Sequence, residues 1–276
     1  MTLNYESLPL GKNVEQPRCR DAGVLVSIPR SVAREAEKIV YVPKYGYDLW
    51  NLWELSWLNQ FGVPQVGVGK LKVPLDSKYI CESKSLKLYL NGLSQETFKT
   101  PQNYQQVVIE DLSTTLGVTP FLEIYSLAAS DAKELFKIEN CDKFGRCLDS
   151  LNISISHYLP NERLLKVKDG VTPVTSFFSN AFRSFCPVTN QPDWATVGIS
   201  YSAKKTLVPA SLLSYLVSFR NHRGFHEACI EKVFNALVKA LNPKFLIVWG
   251  AFTRRGGLDI NPVRMLNNTE FEVPRS

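Results

Sequence analysis

The chain has 276 residues, 45% of them apolar and 21% charged, with a net charge of +6. That composition excludes a disordered chain, and the length suits one large domain or two ordinary ones. No stretch approaches the roughly 18 uninterrupted apolar residues of a membrane span. Met1–Glu6 lacks the basic and apolar regions of a secretory signal, so a soluble cytoplasmic protein is expected.

The basic excess fits an anionic partner, RNA or a phosphorylated cofactor, and equally a solvated mixed surface. Six cysteines in a reducing compartment are expected to be thiols. In chain order, the alternation along Glu82–Tyr89 predicts a strand, with Glu82, Lys84 and Leu86 on one face and Ser83, Ser85 and Lys87 on the other. Such a strand brings a carboxylate and ammonium groups together if it ends in a cleft; an ordinary solvated face reads the same way. Tyr104–Leu116 has apolar residues at helical spacing, and Pro120–Tyr125 reads as a strand. Between Asp131 and Asn152 turn-forming and charged residues replace periodic apolar ones, which divides the chain into units 1–140 and 141–276. Cys141 and Cys147 have no histidine at zinc-ligand spacing and read as structural.

The second unit repeats the first. Ser211–Leu216 matches Ser85–Leu90, His226–Leu241 matches Tyr104–Leu116, Pro243–Trp249 matches Pro120–Tyr125, and Gly198–Ser200 falls near the place of Gly67–Gly69. A duplicated α+β unit follows, antiparallel strands with helices on one sheet face. The halves differ where chemistry is concerned. Cys186 and Asp193 occur only in the second, and the charge pattern Glu82–Lys87 only in the first.

Cys186 and Asp193 bracket a turn fixed by Pro187, Pro192 and the Asn190–Gln191 pair. A nucleophile with its proton donor has this form; so does a small buried hydrophobic thiol. His222 and His226 are four apart, the spacing of metal ligands on a helix, but Gly224 argues for a loop with the helix starting near His226. Zinc held by Cys186, His222 and His226 lacks a fourth protein ligand. Glu227 at a helix start also simply complements the helix dipole. Arg254, Arg255, Gly256 and Gly257 suit a phosphate or form an ordinary basic turn, and no Gly-x-Gly-x-x-Gly or phosphate-loop signature occurs.

Cys81–Asn91, Cys186–Asp193, Phe225–Glu227 and Arg254–Pro262 together resemble the NADPH-dependent 7-cyano-7-deazaguanine reductases, the nitrile reductases of queuosine biosynthesis. The form resembled is the long one, with tandem tunnelling-fold units. The resemblance covers most of the chain and rests on the segments Glu-Ser-Lys-Ser-x-Lys and Cys-Pro-Val-Thr-x-Gln-Pro-Asp. It implies reduction of a nitrile to an amine by two NADPH through a thioimidate on Cys186, with Asp193 as acid and His226 assisting. It further implies Glu82, Ser83, His226 and Glu227 for substrate, and Ser83, Lys84, Arg255 and Gly256 for NADPH. No metal, no direct nucleic-acid contact, a site completed by both halves and a homodimer are expected. A second reading on the same fold is a zinc-dependent purine or pterin hydrolase similar to GTP cyclohydrolase, with Cys186, His222 and His226 as ligands. A third is an RNA-binding module.

Overall fold

The computed structural model describes residues 8–127 and 141–273; Met1–Glu6 and the stretch 131–140 of the expected boundary lie outside them. Among the described residues no helix is long and apolar enough to cross a membrane. They gather into two compact α+β units: residues 8–32, 48–127 and 254–260 form one, and residues 33–47, 141–253 and 261–273 the other.

The first unit draws on β1 (Ser27–Pro29), the first turn of α1 (Arg30–Ala36), most of β2 (Tyr45–Leu58), β3 (Pro64–Pro74), β4 (Tyr79–Cys81), α2 (Ser83–Gly92), α3 (Pro101–Leu116) and β5 (Phe121–Ser126). β3 lies between β2 and β5, antiparallel to β5 from Gly67↔Ser126 to Lys72↔Phe121, and β1 pairs antiparallel with β4. α3 starts where Thr100 accepts the Asn103 N–H and Pro101 fills the first helical position; it stops at Gly117, whose φ of 69° favours glycine. Tyr104, Val108, Leu112 and Leu116, four apart, line its buried face and pack with Trp57, Leu71 and Leu122 of the sheet. Burial of each such side chain stabilises the unit by about 1.5–3 kcal/mol.

Glu82–Tyr89 does not form the predicted strand. β4 stops at Cys81, and the Glu82 carboxylate caps α2 by accepting the N–H groups of Lys84 and Ser85, both at 2.8 Å. Leu86, Tyr89, Leu90 and Leu93 enter the core at intervals of three and four, the helical period. Ser83, Lys84 and Lys87 consequently share the less buried side instead of alternating between faces.

The second unit contains β6 (Arg146–Cys147), β7 (Val167–Phe185), β8 (Pro192–Leu207), α4 (Pro209–Val217), α5 (His226–Leu241), β9 (Phe245–Phe252) and the larger part of β10 (Leu258–Met265). Its strand order is β10-β9-β8-β7-β6, antiparallel except for β6 on β7. β7 and β8 form a long hairpin that closes at Phe185↔Pro192. Ile230, Val233, Phe234 and Leu237 of α5 pack with Val197, Ile199 and Val248 of the sheet, so the helix covers one sheet face.

The repeat read from the sequence extends to individual hydrogen bonds. In the first unit Asp21 caps a single 3₁₀ turn, and the Val26 N–H then donates to Ser85 Oγ at 3.0 Å. In the second Asn161 caps the matching turn, and the Lys166 N–H donates to Ser211 Oγ at 3.0 Å.

Candidate active site

The β7–β8 hairpin presents Cys186 in its connecting turn. The Cys186 N–H donates to Gln191 O at 2.9 Å and the Asn190 N–H to Cys186 O at 3.0 Å, while Asn190 takes the left-handed φ of 55° that asparagine tolerates. The Thr189 N–H donates to Cys186 Sγ at 3.5 Å. The thiol is buried, 6% exposed. Two prolines and this local hydrogen bonding hold it at the hairpin end.

Asp193 enters β8 opposite Ser184 and is also buried. Its Oδ1 lies 3.5 Å from Nε2 of His226, the first residue of α5, and the His226 ring is stacked on Phe252 with centroids 3.8 Å apart and planes within 5°. Glu227 is buried in the first turn of the same helix, where the dipole favours a carboxylate. His222 is directed elsewhere: its Nε2 lies 2.9 Å from Glu37 Oε1, and Lys232 Nζ lies 2.9 Å from the other Glu37 oxygen. α5 starts at His226, so His222 and His226 are not on one helix turn. Among the described residues no group of three or more His, Cys, Asp or Glu side chains is placed to hold a metal, so Cys186, His222 and His226 do not form the zinc set of the hydrolase reading.

The first unit holds the remaining candidates. Glu82 is 2% exposed; burial pushes its carboxyl up, the N–H groups of Lys84 and Ser85 and the Ser83 hydroxyl pull it down, and the balance stays above the usual glutamate range. Gly256 and Gly257 form a tight turn with φ of 58° and 82°, closed by the Arg255 N–H donating to Leu258 O at 2.8 Å. The Trp53 N–H donates to Gly257 O at 2.9 Å and fixes this turn to β2. Beside it Lys87 pairs with Glu54 at 3.2 Å, and a Cβ on Gly256 would lie 3.4 Å from Lys87 Nζ. Glu54, Lys87, Asn91 and the turn border a small depression that opens to solvent. An exposed glycine backbone next to an ammonium group fits a phosphate-bearing cofactor such as NADPH. The strand expectation hid the grouping of Lys87 with this turn; Lys87 is on the Ser83–Lys84 side only on a helix.

Residues 18–120 match the family model described as "Nitrile reductase, 7-cyano-7-deazaguanine-reductase N-term", and residues 192–270 match one described as "QueF-like protein". A protein of Burkholderia lata is 41% identical over 264 residues, covering 95% of this chain and 94% of that protein. One of Teredinibacter turnerae is 42% identical over 255 residues, covering 92% and 90%, and one of Paraburkholderia phymatum is 40% identical over 274 residues, covering 99% and 96%. All three carry the name NADPH-dependent 7-cyano-7-deazaguanine reductase. Fold and matches thus define a class, the nitrile-reducing oxidoreductases with tunnel-fold-like α+β domains. Within it, the chain belongs to the family of NADPH-dependent 7-cyano-7-deazaguanine reductases.

Proposed function

We propose that the protein reduces the nitrile of 7-cyano-7-deazaguanine to the aminomethyl group, consuming two NADPH, in the biosynthesis of queuosine for tRNA. The observation that carries this reading is the buried Cys186 at the end of the hairpin that also carries Asp193, the carboxylate facing His226 of α5. Cys186 sulfur adds to the nitrile carbon while Asp193 delivers a proton to the nitrile nitrogen, which yields a thioimidate. Bound NADPH would supply hydride twice to the same carbon, first as the thioimidate C=N and then as the imine C=N. After the first reduction the tetrahedral carbon expels the Cys186 thiolate, leaving an imine for the second. His226, stacked on Phe252 and paired with Asp193, renews the proton on that carboxyl and helps position the substrate.

Glu82 and Glu227 accept the ring N–H and exocyclic amine of the guanine-like edge, with Ser83 beside Glu82. Ser83, Lys84, Arg255 and Gly256 hold NADPH, joined by Lys87 at the turn. The enzyme acts in the cytoplasm as a homodimer, on a free small molecule rather than on nucleic acid. The test is to add 7-cyano-7-deazaguanine without NADPH. A covalent adduct with changed absorbance and protein mass is expected, and none with Cys186→Ala. Turnover with NADPH but no adduct on Cys186 would overturn the mechanism.

A further inference from the structure

One short segment, residues 222–226, supports both reacting side chains of the second unit. Its His222 carbonyl accepts the Phe185 N–H at 2.7 Å, and its Gly224 N–H donates to Phe185 O at 3.1 Å. Phe185 is thereby held on both main-chain groups immediately before Cys186. Two residues after Gly224 the same segment becomes the start of α5 and delivers His226 to Asp193. The side chain anchoring the segment is His222, whose Nε2 lies 2.9 Å from Glu37 Oε1; Lys232 Nζ holds the other carboxylate oxygen and the main-chain oxygen of Glu37, at 2.9 and 3.1 Å. Gly224 packs closely against this anchor: a Cβ there would lie 3.0 Å from Glu37 Oε1 and 3.1 Å from both Cys229 Sγ and His222 Nε2.

We infer that Glu37 and His222 are positioning residues for the reaction, fixing Cys186 relative to His226 through the Phe185–Gly224 main-chain pairing. The inference rests on the proposed chemistry of Cys186. A misplacement of about 1 Å at a reacting atom costs on the order of 10²-fold in rate, which gives such an anchor catalytic weight without contact to substrate.

The test uses His222→Phe, which keeps a ring against Phe219 and removes the donor, His222→Gln, which keeps a donor, and Glu37→Gln. Adduct formation with 7-cyano-7-deazaguanine is expected to slow about 10- to 100-fold in His222→Phe and Glu37→Gln. His222→Gln should recover most of the rate. Substrate affinity, measured with each change combined with Cys186→Ala, should stay within about threefold, since neither residue is assigned to the substrate. Hydrogen exchange at the Phe185 and Gly224 amides should accelerate while that of α4 does not. Wild-type adduct rates in folded His222→Phe, or in Glu37→Gln should His222→Phe not fold, would overturn the inference, as would an affinity loss equal to the rate loss. If the wild-type protein forms no adduct, the proposed function fails. The exchange comparison then decides the anchor by itself: unchanged protection at Phe185 and Gly224 would overturn it.

Discussion

Glu82 and Val208 occupy the same backbone position in the two units, and only Glu82 brings a carboxylate to it. The Glu82 N–H donates to Val26 O at 2.8 Å and the Val208 N–H to Lys166 O at 3.0 Å, each residue three places before its repeat serine. α4 starts on Val208 without any side-chain cap, helped by Pro209. A helix at this position therefore does not require a buried carboxylate, which leaves the one in the first unit available for the substrate role proposed for it. Replacing Glu82 with Leu is expected to weaken substrate binding about 10- to 100-fold, the worth of a charge-assisted hydrogen bond. Calorimetry measures the loss; alkylation of Cys186 by iodoacetamide should proceed at the wild-type rate.

Burial holds the Glu82 carboxyl above the usual glutamate range, and in the role proposed for it the carboxyl accepts the purine donors in its ionised form. As pH falls through the raised pKa the carboxyl takes up a proton and affinity drops, and this begins at a higher pH than an exposed glutamate would show. Dissociation constants across the acid range should display the limb in the wild type. In Glu82→Gln that component should be absent; an identical limb in both proteins would assign it to another group.

Lys87 and Gly257 are expected to affect the cofactor alone. A Cβ at residue 257 would lie 2.3 Å from Glu54 Cδ at a φ of 82°, so Gly257→Ala displaces both the turn and the Glu54–Lys87 pair. Lys87→Met removes the ammonium outright. Each should raise KM for NADPH roughly tenfold, the scale of one charge-assisted contact, with adduct formation in the absence of NADPH unchanged. Steady-state and single-turnover rates separate the two.

The two repeat serines should be equivalent in stability. Ser85→Ala removes the acceptor of the Val26 N–H, and Ser211→Ala that of the Lys166 N–H. Each loss is expected to cost about 1–3 kcal/mol, read from urea denaturation. A null effect at either serine would mean that water replaces the hydroxyl there.

Glu37 should shape the acid limb of stability. Burial pushes its carboxyl up, but the His222 and Lys232 partners outweigh burial and hold it below the usual range. A depressed folded pKa contributes stability that is present above the unfolded value and lost as pH falls through the folded one. Glu37→Gln should therefore be less stable than wild type at neutral pH, by about 1–3 kcal/mol, and the gap should narrow on acidification. Chemical denaturation at several pH values checks both the size and the sign.

Much of this molecule was legible from sequence where one period dominates. Tyr104–Leu116 and His226–Leu241 repeat apolar residues at helical spacing and became α3 and α5, and the serine alignment located α2 and α4 in each other's image. Glu82–Tyr89 misled because Glu-Ser-Lys-Ser-Leu-Lys-Leu alternates like a strand, and because its cap is a glutamate rather than the Ser, Thr, Asp or Asn that mark helix starts. The role of His222 was out of reach: its partner Glu37 is 185 positions away, and no local pattern encodes such a contact. Spacing alone suggested a metal pair with His226, whereas the fold uses the two imidazoles separately.

The parallel stack of His226 on Phe252 gives the protein a built-in spectroscopic reporter. The chain has three histidines, and only His226 among the described ones lies flat against an aromatic face. Ring current from Phe252 shields its carbon-bound protons, which sets their resonances apart from those of His157 and His222. One displaced line in a proton spectrum can thus report on the Asp193–His226 contact without any label in the enzyme.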